Sequence, residues 1–223
     1  MLIWLVLIPL IAAALIGLCK APARPTALLS ASLTLALGIW ALVSFDGCSS
    51  CWSRFEGMDL QLTLAPALSK VMLLLTILVT FATVLGTNPP QGGEASWYNS
   101  ALLISAGATG AFLSDNIISF FAFHELALIP TFVMIGLYGR GDRRTTAWRA
   151  TLYLGLASMV LLAALLMIGT QAGFTFSGLK DFMASGRELA HAELIGALLI
   201  AGFGTLISLF PFHSWAAPAY ASA

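Results

Sequence analysis

Glu125 is the residue in this chain best placed to do chemistry. It stands inside the apolar run Phe120-Phe121-Ala122-Phe123-His124-Glu125-Leu126-Ala127-Leu128-Ile129-Pro130. A charge at the centre of a helix in lipid costs at least about 2.5–3.5 kcal/mol. A carboxyl group placed there should face other helices or a water-filled cavity, where it can take up and release a proton. The competing role is that of a structural acid paired with a neighbouring helix. His124 precedes it. Adjacent helix positions point about 100° apart, so the pair is not expected to stack on one face. His124 either extends a proton relay or hydrogen-bonds a neighbouring helix. Pro130 has no N–H, and its ring crowds the carbonyl four residues back, that of Leu126. A carbonyl freed beside an acid can hold a water molecule; a packing kink is the alternative.

Other polar positions carry weaker signals. Asp115 lies about 15 Å before Glu125 along a helix axis. Together with Asn116 it suits a helix cap. Farther on, Gly202, Gly204, Thr205, Ser208 and Pro211 mark an interrupted helix. Such breaks survive at membrane depth only inside protein or beside water. His213 falls just past this break, as a second candidate in a proton relay. Cys48 and Cys51 form a Cys-x-x-Cys pair, expected to be a local disulfide or idle; Cys19 reads as an ordinary buried thiol. The sequence has no glycine-rich phosphate loop, four-cysteine cluster or haem-attachment motif. No redox cofactor and no metal is expected in this chain.

These residues must be positioned by elements of unusual composition. Of 223 residues, 59% are hydrophobic and 9% charged, and the mean hydropathy is +0.94. Soluble domains carry about 25% charged residues, so twenty charges cannot coat a soluble fold of this size. A water-soluble enzyme and a disordered chain are both excluded. Ten basic against ten acidic residues leave no net field to attract nucleic acid. The remaining class is an all-α polytopic membrane protein lying in the lipid bilayer.

A span needs about 17–25 apolar residues. Seven runs qualify or come close: Leu2–Leu18, Thr26–Ser44, Leu64–Gly86, Tyr98–Leu113, Ile117–Tyr138, Ala147–Gly169 and Leu194–Phe210. The chain therefore reads as a single membrane domain over 1–223, with about seven transmembrane helices, the seventh interrupted, and no soluble domain. A β-barrel needs alternating segments of about 10 residues, and Val71–Val84 does not alternate. No positive charge precedes Leu2–Leu18, so it is expected to be a retained helix rather than a signal peptide. With the amino terminus outside, Lys20, Arg24, Arg140, Arg143, Arg144 and Arg149 lie inside and Arg54, Lys70, Lys180 and Arg187 outside, the bias expected of a bilayer protein. Residues 45–63 and 170–193 are then outer loops. Trp4, Trp40, Trp97, Trp148 and Trp215 fall near span ends and read as interfacial anchors.

Two motifs carry a family resemblance. Ser114-Asp115-Asn116 followed by Phe120–Pro130 resembles the fifth-helix signature of the antiporter-like membrane subunits of respiratory complex I, the proton-translocating NADH:quinone oxidoreductase. Pro211-Phe212-His213-Ser214-Trp215-Ala216-Ala217-Pro218-Ala219 is similar to the motif after their seventh helix. The subtype resembled is chain M, and the likeness is sharpest over Trp97–Ala223. It implies an antiporter-like inverted-repeat fold, here incomplete because the sequence stops before an eighth helix. It also implies that Glu125 is a proton-channel residue working with a lysine of the interrupted seventh helix. A gapless match back from Pro211-Phe212-His213 places that lysine at Leu206.

The function implied is that of a proton-path subunit in the complex I membrane arm, as half of a split subunit. Alternatives are a non-pumping scaffold, or a subunit of a cation/proton antiporter, membrane-bound hydrogenase or inorganic-carbon uptake complex. Quinone, FMN and iron–sulfur clusters would then sit in partner subunits. The implied partners are other membrane-arm subunits and a chain supplying the remaining carboxy-terminal helices. The membrane implied is the bacterial inner membrane, or alternatively the mitochondrial inner membrane.

Overall fold

The computed structural model describes residues 1–44, 49–55, 58–64, 67–89 and 92–222. Its elements are α1 (Ile3–Gly17), α2 (Ala23–Ser44), β1 (Ser49–Phe55), β2 (Met58–Thr63), α3 (Ala67–Gly86), α4 (Glu94–Leu113), α5 (Ile117–Tyr138), α6 (Arg143–Ala172), α7 (Phe176–Ala184), α8 (Ala192–Leu206) and α9 (Ala216–Ser222). Each of the seven apolar runs coincides with one helix. Among the described residues, α2, α3, α5 and α6 are long and apolar enough to cross a membrane, while α1 and α8 are shorter apolar helices.

The differences from the expected spans have local causes. β1 and β2 pair antiparallel, with Ser49 opposite Thr63 and Phe55 opposite Met58. Apolar-run counting is blind to a polar strand pair inside a loop. α4 begins at Glu94 rather than Tyr98, because an acid in the first turn suits the positive end of the helix although it interrupts the apolar pattern. α6 begins at Arg143, where the Asp142 side chain accepts from the Thr145 N–H at 3.3 Å. α7 stands within 170–193, read from the sequence only as a loop; the Thr175 hydroxyl accepts from the Gly178 N–H at 3.1 Å and starts it. α8 stops at Leu206, four residues short of the run's end at Phe210. Cys48 lies outside the described residues, as does the side chain of Cys51; Cys19, expected to be buried, is exposed instead, because it falls in the turn just past the end of α1.

The chain divides into two compact units, Met1–Thr131 and Phe132–Ala223, with the division inside α5. In the first, α1 packs on α4 and α2, and α3 packs on α2 and α4. Leu2, Leu5, Leu64, Leu73, Ile77 and Leu113 are fully enclosed in its core. α4 and α5 approach closely at Gly107, where a Cβ would lie 2.7 Å from both the Ala127 nitrogen and the Phe123 carbonyl oxygen. No residue but glycine fits that contact without moving backbone. In the second unit, α6 packs on α8, α9 and α7. A Cβ on Gly202 would meet Leu161 of α6 at 2.9 Å.

The tryptophans sort into two groups. Trp4, Trp40 and Trp148 are about half exposed, as interfacial residues are. Trp97 and Trp215 are buried instead. Position near a span end does not distinguish an anchor from a ring turned into the protein.

Candidate functional site

The site begins where α4 gives way to α5. The Ser114 hydroxyl donates to the Gly110 carbonyl at 2.8 Å. The Asp115 N–H donates to the Gln61 carbonyl at 3.0 Å, and Ser114 bridges Leu62. The β1–β2 pair is thus tied to the helix junction. Asn116 provides the cap: its Oδ1 accepts from the N–H groups of Ile118 at 2.8 Å and Ser119 at 3.2 Å. These bonds satisfy donors that a helix start otherwise leaves unpaired. Asp115 is buried at the same junction.

α5 runs unbroken from this cap through Pro130 to Tyr138. Pro130 is buried, and the Thr131 hydroxyl bonds back to the Ala127 carbonyl at 3.0 Å. One turn before the proline, His124 and Glu125 meet. His124 Nδ1 lies 3.4 Å from Glu125 Oε1, with side-chain exposures of 20% and 31%. Both atoms are enclosed and have no hydrogen-bond partner. The expectation that neighbours on a helix do not share a face needs correction here. The Cβ directions diverge, but both side chains are long enough for their tips to converge. Phe120 and Phe121 flank the imidazole, each with its ring centroid 6.3 Å away.

An imidazole and a carboxyl group at this separation can exchange a proton after a small rotation. Enclosed polar atoms without protein partners are also the usual lodging of ordered water. The Thr109 hydroxyl on α4 and the Ser119 hydroxyl on α5 are enclosed and unpartnered in the same way. Sequence reading missed them, since a serine or threonine in a span ordinarily bonds its own helix four residues back.

His213 belongs to the second unit. It is exposed, stacked on Phe210 at 5.6 Å. It follows the end of α8, whose carbonyls are taken up out of helical register: Leu209 N–H donates to Gly204 at 2.6 Å. The indole N–H of Trp215 donates to the Thr205 carbonyl at 2.9 Å. The Thr205 hydroxyl donates to Ala201 at 2.7 Å, and Ser214 donates to the Tyr153 hydroxyl at 2.9 Å. Trp215 therefore holds the helix break, a role hidden by its position at a span end. Leu206 is the last residue of α8 and is partly buried.

The family described as NADH:quinone oxidoreductase/Mrp antiporter, TM, matches residues 114–223, a range containing α5, the break after α8 and His213. The chain is 24% identical to subunit M of the F(420)H(2) dehydrogenase of Methanosarcina mazei, over 98% of this chain and 48% of the relative. It is 30% identical to an NAD(P)H-quinone oxidoreductase chain 4 of Microcystis aeruginosa, over 70% of this chain and 28% of the relative. In fold it is similar to a chain of respiratory complex I from Thermus thermophilus, with a TM-score of 0.85 and 25% identity. That match covers 99% of this chain and 47% of the other. The chain thus spans about half the length, or less, of the curated relatives it matches. It is a multi-pass membrane protein, and the structural neighbour comes from a multi-subunit membrane assembly.

Proposed function

We propose that this chain, an antiporter-like membrane polypeptide of the complex I type, contributes a proton path to the membrane arm of a quinone-reducing complex. Glu125 is the proton-exchanging carboxyl group. His124 accepts and returns its proton, and His213 is a further exchangeable site past the helix break. The observation that carries this reading is the pair of enclosed, unpartnered atoms His124 Nδ1 and Glu125 Oε1, 3.4 Å apart. Enclosed atoms of a half-buried acid and imidazole that make no hydrogen bond are costly unless water or proton exchange compensates.

Other membrane-arm subunits, and polypeptide carrying the helices the relatives have beyond the matched portion, would complete the path. Electron carriers such as FMN, iron–sulfur clusters and quinone would belong to partner subunits, in a bacterial inner membrane. Leu206 favours a second reading. Its apolar side chain stands where the family resemblance places a lysine, and it cannot act on Glu125 electrostatically. Under that reading the chain is a scaffold that does not pump.

Glu125→Gln separates the two. Glutamine keeps the size and hydrogen bonding of the side chain but cannot exchange a proton. The expected result is a loss of proton pumping per electron pair in reconstituted complex, with assembly intact. Full pumping by this variant would falsify the proton-path role and leave the scaffold.

A further inference from the structure

Apart from the Glu125 site, the second unit carries a groove of about 320 Å3 between α6 and α8, beside the helix break. Tyr153, Leu156, Val160, Ala201, Thr205 and Phe212 form its walls. The polar groups of those walls are already engaged. The Tyr153 hydroxyl accepts from Ser214 at 2.9 Å. The Thr205 hydroxyl donates to the Ala201 carbonyl at 2.7 Å, and the Thr205 carbonyl accepts from the Trp215 indole at 2.9 Å. An occupant therefore meets hydrocarbon, and a polar ligand would give up its bonds to water on entry.

Two observations define the occupant further. The first is length. Trp148 and Arg149 are exposed near the start of α6, and Val160 is the last α6 residue of the groove. From Arg149 to Val160 the helix rises about 16 Å, close to half of a hydrocarbon core about 30 Å thick. A transmembrane partner helix would continue past that level, whereas the acyl chain of one leaflet ends there. The second is residue size. Helices that meet in a bilayer do so over small side chains. α6 turns Ala147, Ala150, Ala157, Ser158 and Ala164 inward, and leaves Trp148, Leu152, Leu156, Met159 and Leu166 exposed. Its outward face has the bulk of a lipid-facing surface.

We infer that this groove binds one acyl chain of a phospholipid from the leaflet on the Arg140–Arg149 side. The phosphate meets the Arg149 guanidinium, one turn before Tyr153 on the same face of α6. The chain runs past Leu156 to Val160 and packs against Thr205 and Phe212, at the break itself. This inference does not depend on the proton-path reading.

The test uses the purified complex containing this chain, in nanodiscs doped with a phosphatidylcholine whose acyl chain carries a diazirine at its middle. Labelled peptides are read by mass spectrometry. Residues 153–160 should be labelled about threefold more densely than residues 163–170 farther along α6. The preference is modest because a chain leaving lipid for the groove gains only closer packing. Ala201→Phe fills the groove from the α8 wall and should abolish the preference. Arg149→Gln leaves the walls intact and should weaken it. A benzophenone side chain placed at position 156 should cross-link to lipid. Equal labelling of the two stretches, or a preference unaltered by both substitutions, overturns the inference. Cross-linking of the benzophenone to another polypeptide of the complex also overturns it, by showing that a protein covers the groove.

Discussion

α5 and α8 both read as proline-marked, glycine- or water-associated helices in the sequence, and they behave in opposite ways. α5 contains Pro130 and does not break. α8 contains no proline and stops at Leu206, well before Pro211. The difference lies in where the freed carbonyls find donors. In α5 a single ladder bond is lost to the proline, and Thr131 bonds back one residue beyond the affected carbonyl. In α8 the Trp215 indole and the Leu209 N–H capture Thr205 and Gly204 from outside the helical register. A break at membrane depth is therefore made by competing donors more than by the proline that advertises it. The retained acid sits in the unbroken helix, and the leucine that replaces the expected lysine ends the broken one.

The sharpest way to break this comparison is to remove the donor that holds α8 open. Trp215→Ala deletes a buried indole and its bond to Thr205, and should cost about 3–5 kcal/mol. The readout is thermal stability of the assembled complex. Trp215→Phe keeps most of the packing and removes the hydrogen bond, and should cost only about 1 kcal/mol. If both variants melt like the parent, the indole does not hold the break.

Next in size is Gly202→Ala. Its new methyl would meet Leu161 at 2.9 Å, with the Leu161 backbone at 3.1 Å behind it. Backbone cannot yield as a side-chain tip does, so the α6–α8 contact should lose about 1–3 kcal/mol. Gly155→Ala in α6 is the control, because nothing lies within 4 Å of its added carbon. That change should be neutral or slightly stabilising. Equal destabilisation by the two would show that helix propensity rather than close approach governs these glycines.

How much was legible in the sequence follows from the same physics. The helices were legible because a bilayer demands long apolar runs: all seven runs became helices, four of them long and apolar enough to cross a membrane. The Asn116 cap and the unusual standing of Glu125 were legible because side-chain type and depth suffice to mark them. The β1–β2 pair and α7 were not, since polar loops fold by local caps and cross-strand bonds that leave no apolar period. The burial of Trp97 and Trp215 was not legible either, because the side a ring turns to depends on partners distant in sequence. The meeting of His124 with Glu125 escaped a rule built on Cβ directions, which says little about where two long side chains end.

The smallest expected effect is the most discriminating for the site. Pro130→Ala restores an N–H one turn after Leu126 and so removes the free carbonyl beside Glu125. Stability should change by less than about 1 kcal/mol. The intrinsic gain from replacing a helical proline is opposed by loss of a buried ring, and membrane helices tolerate proline because neighbours re-satisfy the backbone. Pumping is the informative measurement. If the Leu126 carbonyl anchors water beside the acid, the variant should pump a few-fold more slowly at unchanged assembly, because the restored ladder bond withdraws that acceptor. If Pro130 only shapes packing, pumping should follow stability and hardly move. Adding Glu125→Gln to Pro130→Ala completes the comparison. A water-holding carbonyl matters only while Glu125 can exchange a proton, so the proline substitution should then have no further effect on proton flux. An undiminished additional loss in the double variant would place the role of Pro130 in the helix as a whole rather than at the acid.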